Sequence, residues 1–160
     1  MGKKHILAVD ELLRVTAEPR AKGETLVFTN GCFDILHPGH VRYLEQAKEF
    51  GDLLLVGINS DRSVRKLKGG FRPIFPQEER AEILAALAAV DYVTIFDEPT
   101  PQTLISSLLP HVLVKGEGWA PSEIVGREEV EAAGGKVISI NPHEGHSTTR
   151  ILETVVRNFS

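Results

Sequence analysis

Apolar positions along the chain follow two alternating periods. Residues 26–29 form a short β-rich apolar run, and residues 53–58 are continuously apolar, as expected of a strand buried on both faces of a parallel sheet. Residues 92–96, 112–114 and 136–140 repeat the strand pattern. Stretches of helical period lie between them. Pro38 opens one through residue 50, with Val41, Leu44 and Ala47 at helical spacing and Gly51 placed to stop it. Residues 77–89 form an amphipathic helix with Ile83, Leu84 and Leu87 on one stripe. Thr100-Pro101 opens another, which Pro110 ends. Residues 122–133 are expected to be helical, closed by Gly134-Gly135, and a last helix begins at Ser147-Thr148-Thr149. Near the N-terminus, Asp10 and Glu11 open a short helix expected to end before Pro19, with a polar link over residues 20–24. Asn59-Ser60-Asp61 offers cap chemistry for a short helix through Val64, and residues 65–73 read as a basic, glycine-containing loop.

This βα alternation with short turns predicts an α/β protein. The fold expected is a Rossmann-like, doubly wound parallel sheet of about five strands with helices on both faces. Ligands of such sheets bind beyond the carboxyl ends of the strands. Four loops fall there, residues 30–40, 59–72, 115–119 and 141–149, and the polar and glycine residues concentrate in them.

Composition narrows the reading. A chain of 160 residues is most simply one domain, and 42% hydrophobic with 25% charged residues is ordinary for a globular protein. A net charge of −4 argues against general nucleic-acid affinity. One cysteine excludes an intrachain disulfide and a cysteine-rich zinc site. No apolar run is long enough to span a membrane, and the N-terminus lacks the apolar stretch of a secretory signal. The expectation is a cytoplasmic protein.

The candidate chemistry gathers at residues 28–40, a strand, a tight turn and a helix start. His37 and His40 stand three apart around the helix N-terminus, where they can face the same way. Free N–H groups and a partial positive charge suit that end to a phosphate. The same histidines read as surface or capping residues, or as metal ligands lacking an obvious third partner. Cys32 fits a small turn residue better than a nucleophile. Asp34 either caps its loop or holds a metal or an acceptor. Lys66, Lys68 and Arg72, interleaved with Gly69 and Gly70, form either a solvated charge cluster or a phosphate clamp. Arg80 reads as a surface helix residue paired with Glu78 or Glu79, Trp119 as core or a stacking platform, and Ser147, Thr148 and Thr149 as capping residues or phosphate-facing hydroxyls.

Gly31-Cys32-Phe33-Asp34 followed by His37-Pro38-Gly39-His40 resembles the HxGH signature of the nucleotidyltransferase superfamily, in its cytidylyltransferase-like branch. Asn59-Ser60-Asp61 with Ser63-Val64-Arg65, Lys68-Gly69 and Arg72-Pro73, then Val114-Lys115-Gly116, and finally Glu144-Gly145-His146-Ser147-Thr148-Thr149 are similar to further segments of that family. Residues 26–151 look closest to adenylyltransferase domains that make ADP-heptose from heptose 1-phosphate. Two departures from glycerol-3-phosphate cytidylyltransferases favour that branch: Asn141-Pro142-His143 where they have an arginine, and Cys32 where they have threonine.

The resemblance implies a helical lead-in over residues 1–24 and one nucleotidyltransferase domain over 25–160. It implies catalytic roles for His37, His40, Lys68 and Arg72. The nucleotide would lie on Gly31, Cys32, Phe33, Gly39, Lys115, Gly116, Glu117, Glu144, Gly145, Ser147, Thr148 and Thr149, beside His37 and His40. Asp34, Arg80 and Trp119 are the implied acceptor contacts, with Asp34 also a candidate metal ligand. Mg²⁺ would accompany ATP. The expected reaction joins ATP to D-glycero-β-D-manno-heptose 1-phosphate and releases pyrophosphate. The alternatives are cytidylyl transfer to glycerol 3-phosphate or a similar acceptor, and a non-catalytic nucleotide-binding regulator. The expected partners are ATP, a sugar phosphate and a separate heptose 7-phosphate kinase, with no nucleic acid and no membrane. The N-terminal helix packs on the sheet or on a second subunit, which leaves a homodimer open.

Overall fold

The computed structural model describes residues 5–116, 118–141 and 145–160. Five parallel strands form one sheet: β1 (Leu26–Gly31), β2 (Leu53–Asn59), β3 (Tyr92–Phe96), β4 (Val112–Gly116) and β5 (Lys136–Ile140), in the order β3-β2-β1-β4-β5. The order reverses between β1 and β4. That reversal opens a crevice at their carboxyl ends, the usual ligand position in a doubly wound sheet.

Strand alternation sorts side chains to two cores. Val27, Leu54, Val56 and Ile58 pack with Leu44 and Ala47 of α2 (Pro38–Lys48) and with Ala81 and Leu84 of α4 (Gln77–Ala85). Leu26, Phe28 and Leu55 pack on the other face with Leu12 of α1 (Val9–Ala21), Leu104, Ile105 and Leu108 of α5 (Gln102–Leu108), and Val130 of α6 (Arg127–Ala132). Each fully buried aliphatic or aromatic side chain contributes about 1.5–3 kcal/mol. The chain is therefore a three-layer α/β/α fold, the expected class. Within it α1 lies on the sheet side of the two options left by the sequence: Leu12 and Thr16 are buried in that second core.

Several elements differ from expectation. Helix α1 runs through Pro19 to Ala21, because Arg20 ties its last turn down by donating from Nη2 to the carbonyls of Leu108 and Leu109. Helix α3 (Asp61–Lys68) continues past Val64, so Arg65, Lys66 and Lys68 lie in its last turn, where cations complement the helix dipole. The expected loop shrinks to residues 69–73. Helix α4 ends at Ala85, short of the expected residue 89, and its inward positions are Arg80, Ala81 and Leu84, while Ile83 is 40% exposed. Residues 122–133 divide into a 3-10 turn (Pro121–Glu123) and α6. The break falls at Gly126, whose φ is +82° and where a Cβ would meet Ile105 at 2.4 Å, leaving room only for glycine. Helix α7 (Thr148–Phe159) starts beside α2, with Thr148 Oγ1 donating to the Ile35 carbonyl at 3.3 Å.

Candidate active site

The turn after β1 is shaped by a residue pair. Phe33 holds a left-handed φ of +45°, costly for a bulky residue, and its ring fills the space beside Gly31, where a Cβ would stand 3.0 Å away. The ring is buried and lies 5.2 Å, centroid to centroid, from the His40 imidazole. His37 is the N-cap of α2, and Pro38 occupies the first turn, where no N–H is needed.

The two imidazoles are stacked, with centroids 3.8 Å apart and planes inclined by 23°. Both Nδ1 atoms are buried and lack a hydrogen-bond partner among the described residues. A buried polar atom without a partner costs free energy, so a pair of them at a helix N-terminus marks a place where a ligand belongs. Burial lowers the pKa of His37, with His146 adding to it; burial and the neighbouring His37 hold His40 down to about 4. At neutral pH the pair is uncharged, so it meets a ligand as N–H donors.

Lys115, at the end of β4, faces the same crevice. Its Nζ donates to Asn30 Oδ1 of β1 at 2.5 Å, and burial pulls its pKa down to about 8. A side chain at Gly116 would meet nothing within 4 Å, so the strand end is open. Beneath, Tyr43 donates to the Val114 carbonyl at 3.3 Å and shares a hydrogen bond with Thr29, locking α2 to both strands.

The third loop is held by Asp34. Its carboxylate is buried and accepts from Arg72 Nε at 2.6 Å and from the Ile74 and Phe75 N–H groups at 2.8–3.0 Å. These bonds lower its pKa against the opposing effect of burial, which is the largest single influence. With both oxygens occupied and the side chain 0% exposed, Asp34 has no lone pair to offer a metal or an acceptor. It ties down its loop and anchors Arg72, the structural one of the two roles the sequence left open.

Arg80 requires a larger correction. It is 1% exposed instead of lying on the surface, and pairs with neither Glu78 nor Glu79. Its guanidinium donates to the carbonyls of Phe75, Cys32 and Asn59 and to the Asp61 carboxylate, at 2.6–3.0 Å. One side chain thus joins the loops after β1 and β2 and the lead-in to α4. These four bonds engage it as a structural hub, which leaves no acceptor contact for it to make.

Cys32 is half-buried, and its thiol faces Asn59 Oδ1 at 3.8 Å. Burial raises its pKa although the charges of Lys68, Arg80 and Arg72 oppose this, so it is no thiolate nucleophile. Lys68 is exposed at the end of α3, within electrostatic reach of that thiol. Trp119 is 59% exposed and belongs to neither core. No contact joins it to the histidines among the described residues.

The second helix start completes the site. Ser147 caps α7 by accepting from the Arg150 N–H, and Gly145 turns the chain with φ +86°. Thr149 is exposed in the first turn. Gly39 is squeezed between two elements: a Cβ there would stand 3.0 Å from both the His146 Cβ and the His37 ring. A cleft of about 370 Å³ runs along Gly145, His146, Ser147 and the exposed face of α7. A larger cavity of about 730 Å³, lined by Gln102 and residues 121–131, contains none of the expected site residues. Glu117 and Glu144, both expected on the nucleotide, lie outside the described residues.

Sequence reasoning missed Asn30, Asn59 and His146. Asn30 and Asn59 end adjacent strands, a signal available once β1 and β2 are paired. His146 sits in the variable position of the segment similar to the family's nucleotide motif, and its histidine identity was the available clue.

A parallel sheet reversing at β1/β4, two unpaired imidazoles at a helix N-terminus and a lysine across the crevice form a site suited to a chain of phosphates. The chain belongs to the cytidylyltransferase-like family, whose model matches residues 28–154. It is 51% identical over 158 residues to the "Bifunctional protein HldE" of Geobacter sulfurreducens, covering 99% of this chain and 32% of that protein. The protein of the same name from Actinobacillus pleuropneumoniae serotype 5b is 51% identical over 150 residues, covering 94% and 32%. The chain thus spans about a third of the length of these curated relatives. Among solved structures, a lipopolysaccharide core biosynthesis protein of Thermoplasma volcanium superposes with a TM-score of 0.63 at 26% identity, over 78% of this chain and all of that one. A pantoate-beta-alanine ligase of Francisella tularensis, solved with beta-gamma ATP and beta-alanine, shares the fold at a TM-score of 0.61 and 15% identity, over 94% and 76%.

Proposed function

We propose that the chain transfers the adenylyl group of ATP to D-glycero-β-D-manno-heptose 1-phosphate, giving ADP-heptose and pyrophosphate. The observation that carries this reading is the pair of buried, unpartnered Nδ1 atoms of His37 and His40 at the start of α2. The choice of adenine and heptose rests on the resemblance to ADP-heptose-forming domains and on the high identity to proteins named HldE.

The acceptor phosphate is itself the nucleophile. It attacks the α-phosphorus of ATP, the bond to the β-phosphate oxygen breaks, and pyrophosphate leaves with its electron pair. No protein base is needed; the site has to align two anions and stabilise charge as it develops. The imidazoles of His37 and His40 donate to the phosphate chain, assisted by the free N–H groups of the α2 start. Lys115 meets the chain from β4. Arg72, aimed by Asp34, and Lys68 close on it from residues 68–72. The cap and first turn of α7 hold the nucleoside side through Ser147, Thr148 and Thr149.

The described residues contain no group of three or more His, Cys, Asp or Glu side chains able to hold a metal ion. Mg²⁺ would accompany ATP at this site, where it would neutralise charge on the phosphate chain. A heptose 7-phosphate kinase would act upstream, and its bisphosphate product would have to lose the 7-phosphate by hydrolysis to become this acceptor. No helix among the described residues is long and apolar enough to cross a membrane, in keeping with a cytoplasmic site of action.

Pyrophosphate release across a panel of ATP, CTP, GTP and UTP with heptose 1-phosphate, glycerol 3-phosphate and other sugar phosphates tests the reading. ATP with heptose 1-phosphate should be fastest. CTP outpacing ATP with every acceptor would move the assignment to cytidylyl transfer. Tight ATP binding without turnover on any acceptor would favour a nucleotide-binding regulator.

A further inference from the structure

We propose that His146 is a third phosphate-binding imidazole, delivered by the turn before α7 beside His37, and that it sets the affinity of this chain for the triphosphate. The inference rests on the nucleotide-binding reading above and extends it to a residue outside the segments' shared pattern.

Three observations support it. His146 and His37 lie nearly parallel, with an interplanar angle of 18° and centroids 6.1 Å apart, so with His40 they form a run of three rings. The register of this run is fixed from below. At Gly39 the His146 Cβ and the His37 ring approach so closely that any side chain would push them apart, which makes the turn at residues 145–147 seat directly on the α2 start. Finally, His146 lines the cleft along α7 and is exposed, so its ring edge is free to meet a ligand that already contacts His37. Residues that fill space in a core are buried; this one borders open space next to two unpaired nitrogens.

The physical consequence is a donor supplied from the second helix start to a phosphate chain held at the first. An imidazole N–H on an anion forms a charge-assisted hydrogen bond, stronger than one between neutral groups. His146 sits beside His37, so its contribution goes to binding of the phosphate chain.

The test separates packing from phosphate binding by three substitutions in the full chain. Dissociation constants for ATP and for inorganic tripolyphosphate are measured by calorimetry, and thermal unfolding is recorded for each variant. His146→Ala should weaken both ligands by roughly tenfold, the scale of one hydrogen bond to a charged group. His146→Phe keeps a ring against His37 but offers no N–H, and should bind as poorly as His146→Ala. His146→Gln restores a donor and should recover part of the affinity.

Wild-type affinity in His146→Phe would overturn the proposal in favour of packing, and so would unchanged affinity in His146→Ala. A wild-type chain that binds neither ligand would sink the nucleotide reading itself, and this inference with it. Normal binding by wild type with no effect of any His146 variant would refute the inference alone.

Discussion

Removing the Arg80 side chain should collapse the site from behind, without touching a ligand. Its guanidinium makes four hydrogen bonds, to the carbonyls of Cys32, Asn59 and Phe75 and to the Asp61 carboxylate, from a side chain that is 0% exposed. Arg80→Met keeps the aliphatic stem and deletes every donor. Each orphaned acceptor costs about 1–3 kcal/mol where water cannot reach it. Asp61, Cys32 and Phe75 are partly exposed and can recover water, so the loss is concentrated at Asn59, which is 4% exposed. Breaking a buried ion pair by removing one partner typically costs about 3–5 kcal/mol, and we take that as the expected total. Against a typical stability of about 5–15 kcal/mol this is a large share. In a chain of this size, 1 kcal/mol moves the unfolding temperature by about 2–4 °C, so a fall of roughly 10 °C is expected. Urea unfolding of Arg80→Met and Arg80→Lys measures it, the lysine serving as an intermediate that satisfies one or two acceptors. A loss below about 1 kcal/mol in Arg80→Met would refute the hub argument, because it would mean that the carbonyls find other partners at no cost.

Other outcomes follow from the same geometry. Gly39→Ala should weaken ATP binding by about tenfold while leaving the fold intact, since the added carbon must displace the His37 ring or the His146 turn by several tenths of an ångström; calorimetry reads it. Stability of the free protein should fall on acidification. The His40 value lies near 4 in the fold and near 6.5 in the unfolded chain, so its contribution is complete above about pH 6.5 and lost as pH falls through 4, and urea midpoints at pH 7.5, 5.5 and 4.5 check the direction. ATP affinity should decline as pH rises through about 8, where Lys115 gives up its proton, whereas Lys115→Gln should bind weakly and without that pH dependence between pH 7 and 9.

The class of fold was legible because β1 to β5 each carry a short apolar run and the helices between them announce their ends with Pro38, Gly51 and Pro110. The HxGH segment was legible for the same local reason: its histidines, glycine and proline lie on one turn and one helix start. Long-range pairing was not. Arg80 looks like a surface residue from its neighbours Glu78 and Glu79, and only the packing of three loops around it reveals a buried cation satisfied by distant carbonyls. Asp34 likewise finds its partners 38 to 41 positions away, at Arg72, Ile74 and Phe75. Pro19 misled because its neighbour Arg20 holds the terminal turn by donating to the distant carbonyls of Leu108 and Leu109. The extent of α3 followed helix-terminal electrostatics that the glycine pair after it obscured.

Nitrogen-detected NMR of the histidine side chains during ATP titration tests the central claim most directly. The account predicts that the Nδ1 resonances of His37 and His40 move to hydrogen-bonded positions as ATP saturates, and that the pKa of His40 rises from about 4. Imidazole resonances that stay unchanged in a protein shown to be saturated with ATP would contradict it.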